Sequence, residues 1–314
     1  SENGVRMALD DLNAKGIAIA GKKAQFVLVA EDDAADPKQG TAVATRLCDA
    51  KVNGVIGHFN SGTAIPASTI YHQCGLPNIT ASASNPKLTQ NGYRTTFRMY
   101  ANDNALGAVL AQFAASSLGA TKVAIIDDRT AYGQGIAEAF KKTALARGMA
   151  VVDEQYTQDK ATDFAAILTA IKAKNPDAVF FGGLYSQAAP MLRQMEQLGL
   201  SKVKFLGGDG ICSTQLAELA ANAPLLANVV CATGGTAFEK MPAGAAWKQR
   251  YDAKFPNQYQ LPSPYTYDAT MVLVDAMVRA GSANPAVYAP QLFKTDFQGI
   301  AIKVAFDSSG ELKN

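Results

Sequence analysis

Short apolar runs alternate with helix-like segments along most of the chain, and this alternation constrains the fold more than any other feature. A run rich in Val, Ile and Phe predicts a buried strand, and apolar residues spaced by three and four predict a helix. The predicted strands lie at 25–30, 52–56, 77–80, 95–98, 122–126, 150–156, 178–181, 204–206, 228–232 and 302–306. Strands that alternate with helices build parallel sheets covered on both faces. The sequence therefore predicts an α/β protein.

The alternation comes in two sets, the second of which begins near residue 122. A chain of 314 residues is long enough for two core-bearing lobes of roughly 150 residues each. Each set has the strand–helix order of a Rossmann-like sheet, in which ligands bind outside the carboxyl ends of the strands. The predicted architecture is two Rossmann-like lobes whose parallel sheets are flanked by helices.

The composition excludes two classes of protein. The 29 basic and 27 acidic residues give a net charge of +2 without a basic run, which argues against nucleic-acid binding. No stretch of about 18 apolar residues occurs, so we expect no membrane span. The sequence opens at Ser1 without an initiator Met or a signal peptide, which we interpret as a mature or trimmed product.

Two turns rich in small and hydroxyl-bearing residues follow strands of the first set. They are Gly57–Thr63 (GHFNSGT) and Thr80–Pro86 (TASASNP), and each precedes a helix-like segment. Free backbone N–H groups, hydroxyls and the positive end of a helix dipole bind a small carboxylate without a basic residue. The alternative is that these serines only cap helices. The presence of two such turns favours a ligand site.

The second set offers different chemistry at its strand ends. Tyr132 follows Asp127-Asp128, Leu184 and Tyr185 follow Gly182-Gly183, and Asp209 lies between Gly208 and Gly210. Glycines at such positions permit a ligand to approach the backbone closely. Asp209 is the candidate partner for a ligand ammonium, because a carboxylate in a dry cleft needs a cation. The alternative is an ordinary turn aspartate. Anion donors in one lobe and a carboxylate in the other complement a zwitterion.

Signals for catalysis are weak. The two histidines are His58 and His72, and His58 near Ser61 lacks the GxSxG turn of a serine hydrolase. The glycines of 57–62 do not form a phosphate-binding loop, because no GK[ST] follows. Three carboxylates at 32–36 are interpreted as a solvated, helix-capping turn rather than a metal site. We therefore expect no enzyme activity, no cofactor and no metal.

Four cysteines leave two interpretations open. Cys48, Cys74, Cys212 and Cys231 are spaced too widely for a CxxC motif. They are either buried small side chains or two local bridges, Cys48–Cys74 and Cys212–Cys231, which would fit an oxidising compartment.

Eight stretches together resemble the periplasmic leucine/isoleucine/valine-binding protein family, the type I substrate-binding proteins of ABC transporters. They are DDAADPKQ (32–39), VIGH (55–58), PAS (66–68), NPKLT (85–89), YGQG (132–135), FGG (181–183), MLRQ (191–194) and GDG (208–210). The similarity extends from residue 4 to about 313. It implies two lobes joined by three crossovers, with a ligand cleft between them that closes on an amino acid by a hinge motion. By this resemblance, we interpret the sequence as lacking the family's first and last strands.

The resemblance also implies ligand contacts. Ser61 and Ser84 match the hydroxyls that contact the ligand α-carboxylate and α-ammonium, and Ser82 matches the position whose carbonyl meets the ammonium. Asp209 occupies an acidic position that is often Glu. The full expected set is Phe59, Ser61, Ser82, Ala83, Ser84, Tyr132, Leu184, Tyr185, Asp209 and Tyr267, with Tyr265 beside the last.

Two departures concern specificity: Leu184 replaces a tyrosine of the leucine-type binders, and Phe59 replaces a common leucine. We predict lobe one at 1–102 with 234–303 and lobe two at 103–233 with 304–314. The predicted function is a periplasmic, monomeric, non-catalytic protein that captures a branched-chain or other small aliphatic amino acid for an ABC permease. The alternatives are a binder of aromatic or other small carboxylates and a ligand-sensing receptor lobe.

Overall fold

A computed structural model describes residues 2–221 and 223–313. The chain forms two compact units. Unit 1 comprises Ser1–Ala101 and Gly235–Asn314, and unit 2 comprises Asn102–Gly234. The chain passes from one unit to the other after residues 101 and 234, within one residue of two of the three crossovers in the predicted lobe bounds.

The helices and strands alternate as the sequence predicts, although several ends differ. The helices are α1 (Glu2–Lys15), α2 (Pro37–Asp49), α3 (Ser61–Cys74), α4 (Lys87–Gln90), α5 (Asp103–Ser116), α6 (Ala131–Ala146), α7 (Ala165–Lys172), α8 (Tyr185–Gln197), α9 (Gln215–Leu219), α10 (Gly244–Lys254), α11 (Ser263–Ala280) and α12 (Pro285–Leu292). The strands are β1 (Ala18–Ile19), β2 (Lys22–Lys23), β3 (Val55–Ile56), β4 (Asn78–Thr80), β5 (Thr96–Arg98), β6 (Lys122–Asp127), β7 (Ala150–Tyr156), β8 (Ala178–Gly182), β9 (Lys204–Gly207), β10 (Val229–Cys231), β11 (Phe297–Gln298) and β12 (Lys303–Val304). Within the described residues, no helix is both long and apolar enough to cross a bilayer.

Unit 2 has a five-stranded parallel sheet in the order β10-β9-β8-β6-β7. Its central strands are apolar on both faces, since Ile126 and Phe181 are buried on one face and Ile125 and Phe180 on the other. This burial explains why the strands read as continuous hydrophobic runs. The carboxyl ends of β6, β8 and β9 lie side by side, so the turns that follow them gather at one edge of the sheet.

Unit 1 has a smaller parallel sheet in the order β3-β4-β5, packed against α11. The predicted strand at 25–30 is wrong as a strand: exposure alternates along it, but the segment joins no sheet. The amide and carbonyl of Phe26 bond the Asn13 side chain. Within the described residues, the backbone groups of 27–30 have no hydrogen-bond partner. A strand requires a neighbouring backbone, and none is present here.

The carboxyl-terminal tail belongs to unit 1, which corrects the predicted placement of 304–314 in lobe two. The Phe306 ring packs against Phe97, with centroids 5.0 Å apart. The Arg98 amide donates to the Gly310 carbonyl at 2.9 Å. The tail therefore completes the core behind β5.

Both bridges left open by the sequence are present, each within one unit. Cys48 and Cys74 join α2 to α3 in unit 1, with Cα atoms 6.2 Å apart. Cys212 and Cys231 join the turn after β9 to β10 in unit 2, with Cα atoms 5.7 Å apart. The alternative of four unbridged cysteines is wrong.

Removing the unit 1 bridge is expected to destabilise unit 1 alone. Cys48 and Cys74 are 26 residues apart, and the loop-entropy relation assigns such a bridge about 3.5 kcal/mol. The double variant Cys48→Ser/Cys74→Ser should therefore lower the unfolding free energy of unit 1 by that amount. Hydrogen exchange, measured separately for each unit, checks this. The matched variant Cys212→Ser/Cys231→Ser should destabilise unit 2 instead; equal loss in both units would contradict independent bridges.

Candidate functional site

Ser61 opens helix α3 and ties the first hydroxyl turn to the second. It is buried, and its Oγ accepts a hydrogen bond from the Asn85 amide at 3.1 Å. The amides of Thr63 and Ala64 donate to the Asn60 carbonyl, which leaves those of Ser61 and Gly62 without a partner in the described residues. A Cβ placed on Gly62 would meet no atom within 4 Å. The start of α3 therefore has free donors beside open space.

The second hydroxyl turn is shaped by Thr80, at the end of β4. Its Oγ1 donates to the His58 carbonyl at 2.9 Å and accepts from the amides of Ser82 and Ala83. The Ala83 side chain is buried against Ala64 and Leu88. Both backbone groups of Ala83 are thus hydrogen-bonded within the protein, because its carbonyl also accepts a hydrogen bond from an arginine.

That arginine is Arg98, the site residue that sequence reasoning missed. It is fully buried, and its Nη1 donates to the carbonyls of Ala83 and Asn85 at 3.1 and 2.8 Å. Its charge is balanced by Glu311, which accepts from Arg98 Nε at 3.0 Å and also from Nη2. Arg98 therefore fixes the second turn from beneath. The available sequence signal was an arginine at the end of a predicted strand. A charged side chain in a buried strand needs a partner, since charges are rarely buried without one.

Ser84 and Ser82 are the parts of this turn that remain available. Ser84 is 1% exposed, and its Oγ has no hydrogen-bond partner within the described residues. Ser82 is half-buried, and its carbonyl likewise has no partner there. A buried hydroxyl without a partner costs free energy. The turn is therefore suited to a polar ligand that satisfies these groups.

The environment of His58 argues against a Ser–His pair. Its Nδ1 lies 2.7 Å from an Asp33 carboxylate oxygen, and its Nε2 lies 2.9 Å from the Tyr71 hydroxyl. Burial raises the pKa of Asp33, but the hydrogen bonds it accepts, first among them that from His58, bring its pKa below the usual value. Both ring nitrogens are thus occupied, and Ser61 is bonded elsewhere. His58 links strand β3 to the loop at residue 33.

In unit 2, Tyr132 and Asp209 form one hydrogen-bonded cluster. Tyr132 lies in the first turn of α6 and donates from its hydroxyl to Asp209 Oδ1 at 2.8 Å. The same hydroxyl accepts from the Gly210 amide at 2.9 Å. Burial, followed by the carboxylates of Asp209 and Asp103, raises the pKa of Tyr132 well above its usual value. Tyr132 is therefore a neutral donor that orients the Asp209 carboxylate.

The glycines of unit 2 permit close packing between protein groups, and their predicted role of letting a ligand approach the protein backbone stays a prediction. A Cβ on Gly208 would lie 2.6 Å from the Tyr132 hydroxyl, and one on Gly210 would lie 2.6 Å from the Gly183 carbonyl. A Cβ on Gly182 would lie 2.2 Å from the Gly133 carbonyl. These close approaches bring α6 and the turns after β8 and β9 together around Tyr132.

Asp128, at the end of β6, supports the same cluster. Its Oδ1 accepts from the Thr130 amide and hydroxyl at 3.0 and 2.6 Å, and Thr130 in turn caps α6. Burial raises the pKa of Asp128. A Cβ on Gly133 would collide with its carboxylate. Asp128 thus positions the helix that carries Tyr132.

The predicted apolar contacts have mixed environments. Leu184 is the half-buried residue before α8, and Tyr185 is half-buried against the core of unit 2. Phe59 in unit 1 is 44% exposed. These side chains keep apolar surface available for a ligand.

Tyr267 makes its contacts away from the hydroxyl turns, and its role as a ligand contact stays a prediction. Its hydroxyl donates to Asp11 at 2.7 Å, and its ring packs against Trp247. Tyr265 instead contacts the segment around Ala81, and its hydroxyl accepts from the Thr236 amide at 2.6 Å. Residues two apart on a helix point to different faces. Tyr265, rather than Tyr267, therefore lies beside the second hydroxyl turn.

A family model described as periplasmic binding protein matches residues 1–311. The chain belongs to the periplasmic binding protein family. An amino acid binding protein of Pseudomonas aeruginosa is 36% identical over 313 residues, covering 99% of this chain and 82% of that protein. The Leu/Ile/Val-binding protein homolog 1 of Brucella abortus is 33% identical over 314 residues, with the same coverage.

Solved structures of periplasmic binding proteins have the same fold. The branched-chain amino acid transporter substrate-binding protein LivJ from Streptococcus pneumoniae, in complex with isoleucine, matches with a TM-score of 0.87. The two sequences are 25% identical, and the match covers 99% of this chain and 87% of that chain. The predicted type I periplasmic-binding-protein fold is confirmed. Family membership implies an extracytoplasmic protein, and the two disulfides fit an oxidising compartment.

The two serines of the hydroxyl turns are expected to respond differently to truncation. Ser61→Ala removes the acceptor of the Asn85 amide, so we expect stability to fall by about 1 kcal/mol. Ser84→Ala removes a hydroxyl without a protein partner, so stability should stay unchanged or rise. Urea unfolding of both variants measures this, and titration calorimetry with leucine should show weaker binding by Ser84→Ala. Equal destabilisation without a change in affinity would contradict a ligand role for Ser84.

Proposed function

We propose that this protein is a non-catalytic, periplasmic binder of a branched-chain or other small aliphatic amino acid that delivers it to an ABC importer. The ligand carboxylate is taken by the start of α3 and the Ser84 hydroxyl in unit 1. The ligand ammonium is taken by the Ser82 carbonyl and by the Asp209 carboxylate of unit 2. Hinge closure on the ligand stabilises the closed form by contacts absent from the open one.

The observation that carries the proposal is Ser84, whose buried hydroxyl lacks a protein partner beside the free donors of α3. Asp209, oriented by Tyr132, supplies the complementary charge. The similarity to proteins named for amino acid and Leu/Ile/Val binding supports this ligand class. The apolar Leu184 and Phe59 support an aliphatic side chain, and the permease is inferred from the family alone.

The test is a binding screen on protein refolded from denaturant to strip bound ligand. Leucine, isoleucine, valine, alanine and γ-aminobutyrate are compared with 2-oxoisocaproate, which has the carbon skeleton of leucine without the amine, and with benzoate. A ligand at a hundredfold excess over its dissociation constant should stabilise the fold by about 2.7 kcal/mol. The proposal expects leucine-like amino acids to act and 2-oxoisocaproate to fail. Equal stabilisation by the amine-free acids would assign the protein to carboxylate binding instead.

A further inference from the structure

Unit 1 contains asparagines that directly precede a glycine, an arrangement in which the backbone attacks the side chain. The pairs are Asn3-Gly4, Asn53-Gly54 and Asn91-Gly92. The backbone nitrogen of the glycine attacks the side-chain carbonyl carbon of the asparagine and closes a five-membered succinimide ring. Glycine favours this attack because no Cβ shields its nitrogen and its backbone rotates freely. Ring closure also requires that the asparagine side chain and the following peptide group turn toward each other.

The first pair is held within a packed helix. Asn3 and Gly4 belong to the first turn of α1, and the Asn3 side-chain amide donates to Gln258 Oε1 at 2.9 Å. Gly4 is buried, and a Cβ placed on it would lie 2.2 Å from the Ser263 carbonyl oxygen. The Asn3 side chain and the Gly4 backbone are therefore both fixed.

The second pair precedes β3 and is held from two sides. Asn53 Nδ2 donates to the Ala283 carbonyl at 3.0 Å, and the Asn53 carbonyl accepts a hydrogen bond from the Tyr288 hydroxyl. A Cβ on Gly54 would lie 2.6 Å from Leu273 and 2.8 Å from the Tyr288 hydroxyl oxygen. The Gly54 peptide group is thus packed between two side chains, which block the rotation that ring closure needs.

The third pair has none of these restraints. Asn91 and Gly92 are exposed and lie in the turn after α4. Within the described residues, the Asn91 side chain, the Asn91 carbonyl and the Gly92 amide have no hydrogen-bond partner. Gly92 has a φ of +73°, and a Cβ on it would meet no atom within 4 Å. The open space lets the peptide group rotate from the helical ψ of −11° at Asn91 to the geometry of attack.

We propose that Asn91 is a site of spontaneous deamidation, with the Gly92 amide as the nucleophile. The other two pairs are protected by the fold. The Gly92 nitrogen forms a bond to Asn91 Cγ, and the bond from Cγ to the side-chain nitrogen breaks. Ammonia leaves with the proton that the Gly92 nitrogen gives up. Water then opens the succinimide at either of its carbonyls, which yields aspartate or isoaspartate and adds one negative charge in either case.

The test incubates the folded full chain at mildly alkaline pH and maps the products by short trypsin digestion and tandem mass spectrometry. Trypsin releases Asn91 in the peptide 88–94 (LTQNGYR) and Asn3 in the peptide 1–6 (SENGVR). We expect peptide 88–94 to gain about 1 Da and to separate into two isomers, at a rate about tenfold or more above the rates at Asn3 and Asn53. An unmodified Asn91, or equal rates at the three sites, would overturn the proposal.

Two controls separate the fold from the local sequence. In the urea-unfolded chain all three pairs are free, so the rates at Asn3 and Asn53 should rise toward that at Asn91; rates that keep their folded-state ratio would overturn protection by the fold. Asn91→Gln lengthens the side chain by one methylene and disfavours the five-membered ring, so it should remove the acidic species that ion-exchange chromatography separates. The matched Asn257→Gln changes an exposed asparagine that Gln258 follows and should leave that species in place. Its persistence in Asn91→Gln would place the reaction elsewhere. None of these measurements depends on amino-acid binding.

Discussion

Asp209→Ala is expected to weaken leucine binding by about 30-fold or more. Loss of one partner from a desolvated charge pair costs roughly 2–5 kcal/mol, largely because the other charge is left unpaired. The proposed partner is the ligand ammonium, so the variant should also lose its preference for leucine over 2-oxoisocaproate. Titration calorimetry with both compounds measures the affinity and the preference together.

Two variants separate the charge of Asp209 from its position. Asp209→Asn keeps an acceptor for the Tyr132 hydroxyl but removes the charge, so it should resemble Asp209→Ala in affinity. Tyr132→Phe keeps the charge but removes the hydroxyl that orients it, so its effect should be smaller. Unchanged leucine affinity in Asp209→Ala would remove this residue from the proposed site.

Arg98→Met is expected to cause the largest loss of stability, about 3–5 kcal/mol, because it leaves the Glu311 carboxylate without its partner and the carbonyls of Ala83 and Asn85 without donors. Urea unfolding measures this loss. Leucine affinity should fall as well, since the second hydroxyl turn loses its support.

The matched control is Arg250→Met, also in unit 1. Arg250 is paired with Asp11, but its side chain is 55% exposed, and exposed pairs contribute at most about 1 kcal/mol. A similar loss of stability in both variants would show that burial of Arg98 does not determine its contribution.

The sequence predicts the sheet of unit 2 well because its central strands, β6, β8 and β9, are apolar runs that are almost wholly buried. The segment 25–30 carries the same pattern, yet it forms no strand, since pairing depends on a neighbour that a local pattern does not contain. The same limit applies to Arg98, whose partner Glu311 lies 213 positions away. The positions of Ser61, Ser84 and Asp209 were predictable because each lies shortly after a strand. Local apolar patterns do locate the ends of strands.

The choice between Tyr265 and Tyr267 has another physical cause. Helix α11 begins at Ser263, so both tyrosines lie on the helix and point to different faces. Tyr267 entered the expected set through the family resemblance, which matches positions along the chain and does not say which face of the helix each residue occupies. The cysteine pairing, in contrast, was among the alternatives that the sequence posed.

Unit 2 is one uninterrupted stretch, 102–234, with its own sheet and its own disulfide, whereas unit 1 is assembled from two distant pieces of the chain. A single recombination event that replaces this stretch would exchange Tyr132, Leu184 and Asp209 together and leave the serines of unit 1 in place. With the proposed roles, the contacts that unit 2 makes to the amine and side chain of a ligand are free to diverge during evolution, while the contacts of unit 1, including those to the acid group, are inherited unchanged.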